Sequence, residues 1–149
     1  MGKRRKSREI ALQFLYSYDF QGSSTKLSNI EAEFEKFSLN FEPAKKAMVY
    51  ARELVVGTEA RLAEIDDILQ KHSHNWRLER MSSVDRNVLR IAVFEMIFTP
   101  DVPSSVSINE ALEIAKRYSH HESVSFINGI LDAVAISHGS KEASNSRPN

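Results

Sequence analysis

Five of the first eight residues are basic, and their side chains are of the type that binds phosphate groups. The run consists of Lys3, Arg4, Arg5, Lys6 and Arg8. Residues 1–10 also include one acid, so they carry a net charge of five minus one, or +4, whereas the whole chain has twenty basic and twenty acidic residues. A local positive patch on a neutral protein predicts contact with a polyanion; a solvated terminus that only aids solubility is the alternative.

The position of these charges favours the polyanion. Apolar residues at helical spacing over residues 7–20 predict a first helix, so the basic run lies at a helix N-terminus. The helix dipole opposes positive charge there by a few tenths of a kcal/mol per charge unless an anion binds. Gln13 and Tyr16 lie on the flank facing away from the apolar stripe. Basic groups for phosphates with an aromatic ring for stacking are typical of single-stranded RNA binding.

The sequence shows little sign of a catalytic or metal site. It contains no glycine-rich phosphate loop, no nucleophile motif and no cysteine. His72 and His74 point to different faces of a helix, and His120 and His121 fall in a predicted loop, so a metal site would need distant segments. No apolar run is long enough to span a membrane. We predict a non-enzymatic cytoplasmic protein with no catalytic residue, metal or cofactor.

The periodicity elsewhere predicts an all-helical fold of about seven helices in a single domain, residues 1–138, followed by a disordered tail, residues 139–149. After the first helix, the sequence predicts a second helix around Ile30 capped by Asn29 or Ser28, and then one unbroken helix from Pro43 to about Lys71. A short helical connector is predicted at residues 75–82, followed by a central helix after a capping box of Ser82 and Asp85. A sixth helix is predicted after Ser107 and Glu110, and a seventh with Ser123 as a plausible N-cap.

Three stretches carry a specific set of motifs, SREIALQFLYSYDF, VDRNVLRIAVFEMIF and DVPSSVSINEALEIAKRYSHHESVSFINGILDAV. Together they closely resemble the NusB family of bacterial transcription antitermination factors. The resemblance covers residues 4–136 and rests on motifs in the family's order. The matching residues are Arg8, Glu9, Ala11, Gln13, Leu15 and Tyr16, then Leu89, Arg90, Ala92 and Glu95, then Asp101 to Pro103, Ile108 to Ala111, Glu113, Ala115, Lys116, Phe126, Asn128, Gly129, Leu131 and Asp132.

The resemblance implies two perpendicular three-helix bundles, no catalysis, and binding to the boxA element of ribosomal RNA transcripts. It also implies two partners, the ribosomal protein NusE and the RNA polymerase antitermination complex. Asp85 and Arg86 fall where relatives contact NusE. The RNA surface implied by the family consists of Lys3, Arg4, Arg5, Lys6, Arg8, Gln13 and Tyr16 with Ser123, Ser125, Phe126 and Asn128.

The residues of the second group have structural interpretations too. Phe126 begins an apolar stripe and can be core, and Gly129 can allow another helix to approach closely. Where many relatives have an acid before the last helix, this chain has His120 and His121, so RNA affinity is expected to rise below about pH 6.5.

Two other functions remain open from the sequence. One is a helical protein-interaction module whose basic end contacts an acidic protein. The other is a NusB-like domain that assists a separate ribosomal RNA-modifying enzyme. A homodimer that hides the RNA surface is also possible on sequence grounds.

Overall fold

The structure, a computed structural model, describes residues 2–19, 29–40, 45–74 and 76–138, with side chains for all of these except residues 2, 3 and 45. Within these ranges the chain forms seven α-helices and no strand, which confirms the predicted all-helical class. The elements are α1 (Gly2–Asp19), α2 (Ile30–Ser38), α3 (Lys45–Ala60), α4 (Leu62–Lys71), a 3-10 helix (Leu78–Arg80), α5 (Ser83–Phe98), α6 (Ser104–Tyr118) and α7 (His121–Ser137). None of these helices is long and apolar enough to cross a membrane.

The first compact unit, which ends at Ala60, is built around α3, with α1 and α2 packed against it. Its core contains an aromatic cluster in which the ring of Phe14 lies 5.3 Å from the rings of both Phe34 and Phe37 and 5.5 Å from that of Tyr18. Burial raises the pKa of Tyr18, and nearby carboxylates raise it further, so its hydroxyl stays protonated at neutral pH. Asn29 caps α2 as predicted, because its side chain accepts a hydrogen bond from the N–H of Glu31 at 2.8 Å.

The second unit, which begins at Arg61, has α5 at its centre, packed against α4, α6 and α7. Ser82 caps α5 as predicted, since its hydroxyl accepts a hydrogen bond from the N–H of Asp85 at 3.1 Å. Several polar side chains along α5 bond to groups of the same unit. Arg90, for example, makes a two-pronged ion pair with Asp66 of α4, with both N–O distances 2.8 Å.

The predicted unbroken helix from Pro43 to Lys71 is wrong. Pro43 lies outside the described residues, and the helix that follows is interrupted at Arg61, whose φ and ψ of −112° and 20° are not helical. The apolar heptad does continue through this point. However, α3 packs with α1 and α2 while α4 packs with α5 and α7, so one periodic pattern serves two cores.

Three predicted helix starts are also wrong. The first helix begins at Gly2 and not near residue 7, so the basic run lies inside it. Helix α6 begins at Ser104, preceded by Pro103 with φ of −63°, the angle that proline imposes and a helix start accepts. Helix α7 begins at His121, which makes Ser123 its third residue and not its cap.

Two predictions about organisation stay predictions. The perpendicular arrangement of two bundles and the single domain over residues 1–138 are not tested by the packing within each unit. The tail, residues 139–149, lies outside the described residues.

The paired carboxylates on α4 give a test of this packing. Asp66→Asn should lower the free energy of unfolding by about 1–3 kcal/mol, because it leaves the largely buried Arg90 guanidinium without its charged partner. Asp67→Asn should change it by less than about 1 kcal/mol, because Asp67 pairs with Lys71 in solvent. Urea denaturation followed by circular dichroism measures both, and equal losses would contradict the structure.

Candidate nucleic-acid interface

The basic end of the chain is held against α3 instead of projecting as a free terminus. The buried hydroxyl of Ser7 donates a hydrogen bond to the backbone carbonyl of Ala47 at 2.8 Å. One turn earlier, the guanidinium carbon of Arg4 lies 4.3 Å from the centre of the Tyr50 ring, in a cation–π contact. Because two successive turns of α1 are attached to α3, the positions of the charges are set by the fold.

The predicted basic residues do not all face solvent. Arg4 and Lys6 are exposed and Arg5 is half-buried, while Lys3 lies in α1 but outside the residues whose side chains are described. Arg8 is only 3% exposed. It lies about 200° around the helix from Lys6, at 100° per residue, and so faces the interior. Contact of Arg8 with RNA would require this buried side chain to move, and its RNA role stays a prediction.

Gln13 and Tyr16 share the solvent face of α1 with the basic run. Both are exposed, and Tyr16 keeps 42% of its surface accessible although most other rings of this unit are buried. Gln13 follows Lys6 by seven residues, which places the two within about 20° of each other on the helix. The exposed face of α1 thus offers cations, an amide and an aromatic ring.

The second predicted group lies on α7, where Phe126 is paired with an aromatic residue that the sequence did not single out. The rings of Phe126 and Trp76 are stacked, with centroids 4.9 Å apart and an angle of 17° between planes. Trp76 remains 50% exposed. The prediction that Phe126 can be simple core is thus only half right: its ring is half-buried, at a surface where a flat ligand can add to an existing stack.

Around this pair the second unit forms a cleft of about 1060 Å³. Besides the two aromatic residues, its lining includes Arg77, Arg80 and Asp85. Arg77 makes an exposed ion pair with Glu79 at 3.3 Å, and Arg80 is also exposed. Aromatic rings beside guanidinium groups suit a nucleotide, whose base can stack while its phosphate meets a cation.

Ser123 and Asp85 are bonded to each other below this surface. The hydroxyl of Ser123 donates to Oδ2 of Asp85 at 2.8 Å, and Asp85 is only 6% exposed. Oδ1 of Asp85 has no hydrogen-bond partner among the residues that the structure describes. A direct contact of Ser123 with RNA, or of Asp85 with a protein partner, would require this bond to open.

Ser125, Asn128 and Gly129 lie on the exposed side of α7. A Cβ atom added to Gly129 would meet nothing within 4 Å, so no helix of the described residues approaches there and the predicted close helix contact is wrong. Instead, the missing side chain leaves helix backbone open next to Asn128. His120 and His121 are exposed just before these residues.

Arg86, the other predicted partner residue, is engaged within the second unit. Its Nη1 donates to the carbonyls of Leu78 at 3.2 Å and Met81 at 3.1 Å. His72 is likewise engaged, since its ring bonds the Ile68 carbonyl and the Ser137 hydroxyl. The described residues contain no group of three or more acidic, histidine or cysteine side chains placed to hold a metal ion.

The residues missed by the sequence reasoning are Trp76, Arg77 and Arg80. The signal was present in the stretch NWRLERMS, which places the chain's one tryptophan beside two arginines. From sequence alone this stretch predicts only a connector, because it is too short to show which helix the ring reaches. The stack on Phe126, fifty residues later in the chain, is a tertiary contact.

Together these features define an all-helical protein with a fixed basic helix face in one unit and an aromatic, arginine-lined cleft in the other. The chain belongs to the NusB family, whose family model matches residues 5–136.

Individual relatives agree with this assignment. The transcription antitermination protein NusB of Myxococcus xanthus (strain DK1622) is 45% identical over 136 residues, which cover 91% of this chain and 96% of that protein. The structure of NusB from T. maritima is similar with a TM-score of 0.81 at 38% identity, covering 95% of this chain and 96% of that one. A crystal structure of the antitermination factors NusB and NusE in complex with double-stranded RNA is similar with a TM-score of 0.77 at 29% identity, covering 92% and 98%.

The bond between Ser123 and Asp85 can be tested with two serines of the same helical turn. Ser123→Ala should lower the free energy of unfolding by about 1–3 kcal/mol, because the buried Asp85 carboxylate loses the hydroxyl that it accepts from. Ser125→Ala should change it by less than about 0.5 kcal/mol, since that side chain is exposed. Denaturant titration at neutral pH measures both variants. If Ser123→Ala left the free energy of unfolding unchanged, the bond would contribute nothing to stability.

Proposed function

We propose that this protein is a non-catalytic transcription antitermination factor that binds boxA-type RNA of ribosomal RNA transcripts. It binds this RNA together with NusE and links it, in the cytoplasm, to the RNA polymerase antitermination complex. Membership of the NusB family supports this role. So does the related crystal structure, in which a NusB is assembled with NusE and double-stranded RNA.

The observation that carries the proposal is the attachment of the basic helix face to α3. A flexible basic terminus binds many polyanions weakly, whereas charges fixed by the Ser7 bond and the Tyr50 ring present a constant spacing to a phosphate chain. Lys46, exposed beside Ala47 on the first turns of α3, adds a cation at the same end of the unit. An RNA strand can therefore be held there without ordering the protein first.

The cleft of the second unit supplies what phosphate contacts lack. Contacts to phosphates position an RNA but do not discriminate its sequence, whereas stacking and contacts to base edges do. The stack of Trp76 and Phe126 can receive an unpaired base, and Asn128 on the exposed side of α7 can hydrogen-bond a base edge. We propose that the RNA is single-stranded where it contacts this cleft, because paired bases do not present a free face.

NusE is proposed to dock on a face other than the two RNA contacts, so that both partners bind at once. The affinity for RNA is then expected to increase when NusE is present, because two partners bound to one protein are held close to each other.

Whether the protein alone is a monomer or a homodimer follows from its mass in solution, measured with and without RNA. A homodimer that dissociates on RNA addition would mean that the RNA face is covered in the dimer.

Neutralising the exposed charges of α1 tests the phosphate contacts. If about four to six phosphates are neutralised, the plot of log affinity against log salt should have a slope of roughly −3 to −4, at about 0.7 per contact for a single strand. The double variant Arg4→Gln with Lys6→Gln should make that slope about 1.4 less steep. Fluorescence anisotropy of a labelled boxA RNA, titrated at several salt concentrations, measures it.

The matched control is the double variant Lys36→Gln with Lys116→Gln, which removes two exposed charges elsewhere. It has the same net charge and should leave the slope unchanged. These substitutions are preferable to deleting residues 1–8, because the deletion would also remove the buried Ser7 and Arg8. Equal slopes for all three proteins would rule out the basic helix face as the RNA contact.

The aromatic pair gives a second test, and its tryptophan is the only one in the chain. RNA binding should change Trp76 emission, and Phe126→Ala should weaken binding by about 1–3 kcal/mol, the usual contribution of one base stacked on an aromatic ring. Tyr118→Ala, which removes another half-exposed ring of the same unit, is the control and should bind normally. The same RNA annealed to its complement should bind the cleft less well; a preference for the duplex would contradict the single-strand proposal.

A further inference from the structure

The segment that carries Trp76 is a connector of little regular structure, and the side chain of Gln70 holds it from one side. Gln70 lies on the last turn of α4. Its Nε2 donates to the backbone carbonyl of Trp76 at 3.1 Å, and its Oε1 accepts from the N–H of Leu78 at 3.2 Å. A second, longer bond runs from the same Nε2 to the hydroxyl of Ser73 at 3.4 Å. One amide side chain thus satisfies backbone groups on both sides of Arg77.

Arg86 holds the same connector from the opposite side. Its guanidinium, on the first turn of α5, bridges the carbonyls of Leu78 and Met81. The backbone of Leu78 is therefore bound twice, through its N–H by Gln70 and through its carbonyl by Arg86. These bonds are made to backbone atoms of the connector. Both side chains determine where the chain that carries the ring can lie.

We propose that Gln70 and Arg86 are positioning residues for nucleic-acid binding, which hold the connector so that Trp76 stacks on Phe126 and presents its free face to a base. The inference rests on the proposed function, since it assigns these two residues a role in that same RNA site. It also gives Arg86 a role other than direct contact with a protein partner. Asp85, its neighbour, completes the arrangement by bonding Ser123 of the helix that carries Phe126.

The physical reason is preorganisation. A connector without helical hydrogen bonds samples many conformations. A ligand that binds only one of them has its apparent affinity reduced in proportion to the fraction of molecules in that conformation. Side-chain bonds to the backbone of Trp76 and Leu78 raise the competent fraction before RNA arrives. Removing the Gln70 bonds should leave the protein folded, because Gln70 is exposed and the core residues of α4 are on its other face.

A double-mutant cycle distinguishes positioning from a general structural role. Gln70→Leu should weaken binding of a boxA RNA by about three- to tenfold, which corresponds to the net free energy of one to two weak hydrogen bonds. In a Trp76→Leu background the same substitution should have no further effect, because the ring that Gln70 positions is already absent. Asp67→Asn, one turn away on α4, is the control and should not change binding in either background.

Two further measurements complete the experiment. Arg86→Lys keeps the charge, but its side chain ends one bond short of the Nη1 position that donates to both carbonyls, so it should weaken binding in the normal background and not in Trp76→Leu. Acrylamide quenching of Trp76 fluorescence, measured without RNA, should increase by about twofold in Gln70→Leu as the ring leaves its stack on Phe126, an exposure change expected from freeing a connector.

The outcomes separate this inference from the proposed function. If Gln70→Leu weakens binding equally in both backgrounds, or if its quenching matches that of the unaltered protein, the positioning role is overturned while RNA binding stands. If the unaltered protein and Trp76→Leu bind RNA equally well, the proposed role of the cleft is overturned. The quenching measurement still decides in that case whether Gln70 holds the connector.

Discussion

Burial of α5 on nearly every side is the constraint from which the second unit is built. A helix that is surrounded by other helices must satisfy each of its polar groups within the protein. Arg90 does so through Asp66, Arg86 through two carbonyls of the connector, and Asp85 through Ser123. Because the last two reach the segments that carry Trp76 and Phe126, the need to satisfy buried polar groups also sets the geometry of the aromatic cleft.

The first unit solves a different electrostatic problem. Three basic residues on the first turn of α1 oppose the helix dipole, and no acid lies in that turn to compensate. Two contacts with α3 offset this cost. Ser7 donates a hydrogen bond to α3, and the Arg4 guanidinium lies over the Tyr50 ring in a cation–π contact. The charges that remain exposed are those a phosphate chain can reach. The two candidate contacts thus use different physics, Coulombic attraction in one unit and stacking in the other.

Several errors of the sequence reasoning share one cause. Periodicity reports which face of a helix is apolar, but not what that face packs against. The heptad through residues 44–69 therefore predicted one helix where the chain breaks at Arg61 and passes from one core to another. The spacing of Ser107 and Glu110 matched a capping box, yet both are buried inside α6, whose start is set by Pro103. Where the cap had no competing role, at Asn29 and Ser82, the prediction was confirmed.

The sequence by itself determined the helical class, the family, and the solvent face of α1 that carries Gln13 and Tyr16, because these follow from local spacing along a single helix. Only the tertiary structure decided that Arg8 is buried, that Ser123 bonds Asp85, and that Trp76 stacks on Phe126. Each of these is a contact between residues brought together by helix packing, which depends on side-chain shape and hydrogen-bond satisfaction across the core. Such contacts leave no period in the sequence, so the cleft could be found only once the helices were in place.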